Sequence, residues 1–136
     1  MTAILTPLIN EDITYKYSRL HEPFRFYSDV LRCEVEVPKG FVHDYESVPG
    51  LKGTSKRGGV AHDYLCRKDS IPIVTKSKAA AVYREIMAYV DSTKNRSWLG
   101  RLDAWWRRTV KSGFVAVCPG YFHRHTVRAT FEEMSA

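Results

Sequence analysis

Leu31-Arg32-Cys33-Glu34-Val35-Glu36-Val37 alternates apolar and charged residues along most of its length. A period of two is the pattern of a strand with one face buried and the other in water. Pro38 and Gly40 end it. Upstream, Tyr15 and Tyr17 alternate with polar partners, and Phe24, Phe26 and Tyr27 follow Pro23. The N-terminal third therefore reads as antiparallel β-structure. Downstream, Phe41 to Gly53 holds two glycines and a proline with no sustained period, which predicts a loop. Lys56, Arg57, Gly58 and Gly59 are expected to continue it.

From about Val60 the period becomes helical. Ala61, Tyr64 and Leu65 mark a short helix that stops before Pro72. Ser77 is the expected N-cap of a second helix, with Ala79, Val82, Tyr83, Ile86, Met87 and Val90 on one face. A third helix is expected from near Ser97, with Trp98, Leu102, Trp105 and Trp106 on one side, Leu99 and Val110 adjoining, and Gly113 as its breaker. Phe114 to Phe131 reads as a returning strand or pair of strands, and Glu132 to Ala136 as a short exposed polar end. The fold class is α+β, an N-terminal antiparallel β-sheet with a layer of about three helices and C-terminal strand structure, in a single domain over 1–136.

A chain of 136 residues has room for one domain. It buries roughly two-thirds of the surface its unfolded form exposes, so a core needs neither disulfides nor metal. With 44% hydrophobic and 26% charged residues it has the balance of a globular protein, not of a disordered tail. The weakly polar run Gly113 to Phe122 is too short to span a bilayer, and the start of the chain lacks the basic region of a signal peptide. Cys33, Cys66 and Cys118 are odd in number and widely spaced, which suits reduced, buried thiols better than a disulfide or zinc framework.

The net charge of +6 is unevenly spread. Residues 1–50 carry 5 basic and 8 acidic groups, residues 51–111 carry 14 and 5, and residues 112–136 carry 2 and 2. Such polarity suits an acidic protein partner, nucleic acid or an anionic surface, without choosing among them.

Two segments concentrate polar residues beyond local need: His43-Asp44-Tyr45-Glu46-Ser47-Val48-Pro49 and His62-Asp63-Tyr64. Near a helix N-terminus a histidine stays neutral, as a general base or metal ligand must. The glycine-rich stretch between the segments lets His62 and Asp44 meet at the end of the sheet. A structural reading competes: Asp63 and Arg67 are spaced i, i+4 in the favourable order for a surface pair, and Asp44 and Ser47 are ordinary turn residues. In the third helix Arg101, Arg107, Arg108 and Lys111 fall largely opposite the tryptophans. They are the candidate binding surface, for phosphate backbone, membrane surface or protein. The simpler account makes the tryptophans core and the arginines a solvated face. His123 and His125 alternate as on a strand, but two ligands do not make a metal site.

Val37-Pro38-Lys39-Gly40-Phe41-Val42-His43-Asp44-Tyr45-Glu46-Ser47-Val48-Pro49 resembles the VPxGFxTDxxSVP pattern of the DUF1353 family. Ala61-His62-Asp63-Tyr64-Leu65 resembles that family's HDYLY segment, and Ala79 to Met87 its following helix; the likeness runs over roughly residues 35–113. It implies a small protein of tailed phages and prophages, made in the bacterial host cytoplasm and carried into the virion if structural. The HDxxY segment is in turn similar to the catalytic helix of phospholipase A2, in which histidine activates water and aspartate helps hold calcium. His62 and Asp63 match that pattern, but Cys66 stands at the tyrosine position, Ala80 at the orienting acidic position, and His43 where the family shows threonine.

Three functions are therefore expected in order. The first is a non-enzymatic accessory protein of a phage, a virion or assembly component contacting other phage proteins, with a degenerate His/Asp site. The second is a small hydrolase of lipid or cell-wall bonds, with His62 as base and Asp44 and Asp63 orienting it or holding a divalent cation. The third is an inhibitor of a host factor acting through the basic helix. No other cofactor is expected, nucleic acid would bind only non-specifically, and no segment reads as transmembrane.

Overall fold

The computed structural model describes residues 1–14, 17–43, 56–93, 100–102, 105–106, 109 and 125–135. Six short strands come first: β1 (Ala3–Ile4), β2 (Asn10–Asp12), β3 (Ser18–Leu20), β4 (Phe24–Ser28), β5 (Cys33–Val37) and β6 (Val42–His43). Helices α1 (Lys56–Leu65) and α2 (Lys76–Ser92) follow, and α3 (Phe131–Ser135) lies at the C-terminal end. The class is α+β. Among the described residues the expected single sheet is two three-stranded antiparallel sheets, ordered β1-β4-β5 and β2-β3-β6.

Register explains why the first sheet buries one face. Phe24 lies opposite Val37 and Phe26 opposite Val35, all four fully buried, while Arg25 faces Glu36 on the outer side and also bonds Glu34. A slip of one residue would turn the phenylalanines outward, so burial itself fixes the pairing. Leu31 lies outside β5, in the turn that Arg32 closes with a positive φ of 55°. Gly40, at φ 85°, reverses the chain between β5 and β6, a conformation glycine adopts without strain. The two sheets are stitched there, where the Leu20 amide donates to the Phe41 carbonyl at 2.9 Å and the Gly40 amide to the Leu20 carbonyl at 2.9 Å.

Helix α1 begins earlier than the glycines suggest. Lys56 to Gly59, expected as loop, form its first turn, with Gly58 and Gly59 buried. A Cβ on Gly58 would lie 3.3 Å from the Tyr83 carbonyl oxygen and 3.3 Å from Met87 Cγ. The glycine is thus a close-approach residue, offsetting its low helix propensity by letting α1 and α2 pack tightly. The N-cap of α2 is Thr75, not Ser77: its extended backbone carries a hydroxyl that accepts from the Lys78 amide at 3.2 Å. The expected face of α2 is borne out: Ala79, Val82, Tyr83, Ile86 and Met87 are buried and Val90 partly so. Leu20, Phe24, Val35, Phe41, Val60, Leu65, Val82 and Ile86 belong to one core shared by both sheets and both helices.

Glu85, on α2, anchors the first sheet. Its carboxylate accepts from Ser28 Oγ at 2.6 Å, the Asp29 amide at 2.6 Å, the Val30 amide at 3.2 Å and the Thr2 hydroxyl. Of the expected C-terminal strand, residues 114–124 lie outside the described residues. Residues 125–130 are turn and coil, and the expected polar end is helical. Thr130 caps α3 reciprocally, accepting from the Glu133 amide at 3.3 Å while Glu133 accepts from the Thr130 amide at 2.9 Å. Tyr17 ties α3 to the sheets, donating to the Met134 carbonyl at 3.1 Å and meeting the Phe131 ring edge-on.

Candidate functional site

His62 and Asp63 are consecutive on α1, so their side chains leave the helix about 100° apart and meet different neighbours. His62 turns to α2, where its ring meets Tyr83 edge-on with centroids 5.7 Å apart. Cys66, one turn on, brings its sulfur to 3.5 Å from Nε2 and 3.7 Å from Nδ1. Nearly equal distances to both nitrogens aim the sulfur at neither, a packing contact more than a directed hydrogen bond.

His62 lies in the last turn of α1, not near its start. The dipole there favours the charged imidazolium, by about 1 kcal/mol at most for an ordinary surface site, which is under one pKa unit. Burial outweighs it: desolvation, reinforced by the charge of Lys76, lowers the pKa to about 4. The ring is therefore neutral at pH 7, as expected, but for a different physical reason.

Asp63 turns toward Arg67, with Oδ2 3.7 Å from Nη2. This is no surface pair, because the Arg67 side chain is only 4% exposed. The guanidinium lies 4.8 Å over the Phe41 ring and donates to the Val42 carbonyl at 2.7 Å and toward Met134 Sδ at 2.8 Å. It staples α1 to β6 and α3. Of the two carboxylates expected to hold a divalent cation, Asp63 thus already faces a cation, which does not suit a metal site, and Asp44 lies outside the described residues. Among the described residues no group of three or more His, Cys, Asp or Glu side chains is placed to hold a metal ion.

His43, expected in a loop, sits on β6 fully buried. It stacks on Phe41 with centroids 6.0 Å apart, and its Nε2 lies 2.8 Å from Asn10 Oδ1. That oxygen only accepts, so Nε2 carries the proton. Burial, with Arg67 nearby adding to it and Asp12 opposing, lowers its pKa to about 3. Ala80, at the position where an orienting acid was looked for, is a buried core residue. Cys33 and Cys66 are partly buried, and Cys118 lies outside the described residues.

In the basic segment, residues 100–102, 105–106 and 109 are helical. Trp105 and Trp106 do not fill the core: they are 47% and 60% exposed, with Leu102 at 52%. Arg101 beside them is exposed. Arg107, Arg108, Lys111 and Trp98 lie outside the described residues, as does His123. His125 is partly buried, its carbonyl accepting from the Lys68 amide at 3.1 Å.

Arg67 and Tyr83 are the residues that sequence reasoning undervalued. Arg67 was legible only as the second half of an i, i+4 pair, and Tyr83 only as a core position.

These features define a small α+β domain with a His–Asp dipeptide on a buried helix. Its sequence matches the family described as protein of unknown function (DUF1353) over residues 18–102, and the chain belongs to that family. The match starts earlier than the likeness read from the motifs, taking in β3 and β4, and stops at Leu102, before Trp105 and Trp106. No curated protein and no solved structure matches the chain.

Proposed function

We propose that this protein is a non-enzymatic accessory component of a bacteriophage, acting in the virion or its assembly through contacts with other phage proteins. One observation carries the reading: His62 packs against α2 and Asp63 faces an enclosed guanidinium. His62 packs between Tyr83 and Cys66. Asp63 is set against the guanidinium that joins α1 to β6. The dipeptide that resembles a catalytic helix acts here as packing and as an electrostatic partner. The acidic first third and basic middle of the chain supply the polarity for subunit contacts.

The experiment is particle analysis. Virions purified from a host carrying the gene are expected to contain the chain by mass spectrometry, or to be malformed when it is deleted. Normal particles that lack the protein in both cases would sink the proposal.

A hydrolase is the second reading, favoured by the His62 ring, which desolvation and the charge of Lys76 hold neutral at pH 7. His62→Gln separates the two. Infectivity lost at unchanged thermal stability supports chemistry, and infectivity that follows stability supports packing.

A further inference from the structure

We infer that the helical segment bearing Arg101, Leu102, Trp105 and Trp106 docks this protein on an anionic lipid surface. Positions 102, 105 and 106 are spaced i, i+3, i+4, so they share one face of the helix. That face is apolar, yet about half of each side chain meets solvent. A ridge of two indoles and a leucine is costly to leave wet, and exposed apolar patches of this kind mark interaction sites.

The chemistry of the ridge and its charge choose the occupant. Indoles prefer the boundary between hydrocarbon and water, where the ring is in the acyl region and the N–H stays hydrated. Arg101, exposed beside the ridge, places a guanidinium at headgroup depth. The surrounding sequence is strongly basic, with 14 cationic against 5 acidic residues over 51–111, which complements an anionic headgroup layer. Trp, Leu and Arg on a short helical ridge match the composition of interfacial helices, which lie in the headgroup plane and do not span it. No helix among the described residues is long and apolar enough to cross a membrane, so the attachment inferred is peripheral and salt-sensitive. It does not rest on the assembly reading: a protein absent from particles can still bind vesicles, and a particle protein can fail to.

The test is co-sedimentation of the full chain with vesicles of phosphatidylglycerol and phosphatidylcholine in equal parts, against vesicles of phosphatidylcholine alone. Binding is expected only to the anionic vesicles, weakening as salt rises, with a blue shift of tryptophan emission and quenching by brominated lipid. The double variant Trp105→Ala/Trp106→Ala is expected to bind at least about tenfold more weakly, and Arg101→Glu measurably more weakly. These positions are exposed, so circular dichroism should show both variants folded. Should the double variant not fold, Arg101→Glu and lipid quenching of the wild type decide. No sedimentation with anionic vesicles, or undiminished binding by the variants, would overturn the inference. So would a variant that dissociates a dimer while lipid has no effect, since the ridge would then be a protein interface.

Discussion

His62 meets Tyr83 edge-on at 5.7 Å because Gly58, one turn earlier on α1, leaves no side chain between the helices. The contact helps desolvate the imidazole, which is itself only partly buried. Loss of hydration is what drives its pKa to about 4, against a helix end that favours the charged form. A glycine thus contributes, through packing, to the desolvation that with the charge of Lys76 keeps this histidine neutral.

Filling that gap is the direct check. Gly58→Val would put branched carbons where even a Cβ lies 3.3 Å from the Tyr83 carbonyl oxygen. Backbone cannot step aside cheaply, so the variant is expected to lose about 1–3 kcal/mol in urea unfolding. The His62 pKa should rise as the helices part, as read by NMR titration. Unchanged stability and an unchanged titration would mean that α1 and α2 do not pack as described.

Two neutral histidines, His43 fully buried and His62 partly so, make stability depend on acid. His43 and His62 titrate at about 3 and about 4 in the fold, against about 6.5 in the unfolded chain. Between these values the unfolded chain binds more protons, so stability is full above about pH 6.5 and falls as the pH drops towards 4. With both groups contributing, the slope approaches about 3 kcal/mol per pH unit, large beside a domain's total stability. The expected acid-unfolding midpoint, followed by circular dichroism, is therefore about pH 4–6. His43→Gln should halve the slope of stability against pH above the transition. Acid unfolding delayed to the carboxylate range would show that the rings are not held neutral by burial.

What was legible in the sequence was periodic. The β5 alternation and the apolar stripe of α2 each bury one face, and burial writes its period directly into residue type. Boundaries set by single contacts were not. Gly58 and Gly59 read as loop because composition does not show that a partner helix needs the space. Thr75 caps α2 where Ser77 was expected, two residues apart and chemically equivalent. The Thr130-x-x-Glu133 capping box is a helix signal in the sequence, but the reading of Phe114 to Phe131 as strand structure passed over it. At the candidate site, the His–Asp dipeptide was visible and its use was not. An i, i+4 spacing gives Asp63 and Arg67 a common face but leaves open whether that face is wet. The tryptophan stripe failed the same way: periodicity defines a face, and Trp105 and Trp106 show that it need not point inward.

The pairing of Arg67 with Asp63 gives an asymmetric prediction. Arg67 is nearly fully enclosed, bonds the Val42 carbonyl and covers the Phe41 ring. Arg67→Ala therefore removes packing, leaves a buried carbonyl unpaired and frees α3, at an expected cost of about 2–4 kcal/mol. Asp63 retains 21% exposure at a separation of 3.7 Å, so solvent screens much of its share. Asp63→Asn is expected to cost no more than about 1 kcal/mol. Paired urea unfolding curves measure both. Comparable losses would mean that the carboxylate, not the aromatic and backbone contacts, holds the guanidinium in place. If Asp63→Asn abolished infectivity at nearly native stability, Asp63 would have a role beyond packing, and the hydrolase reading would take precedence.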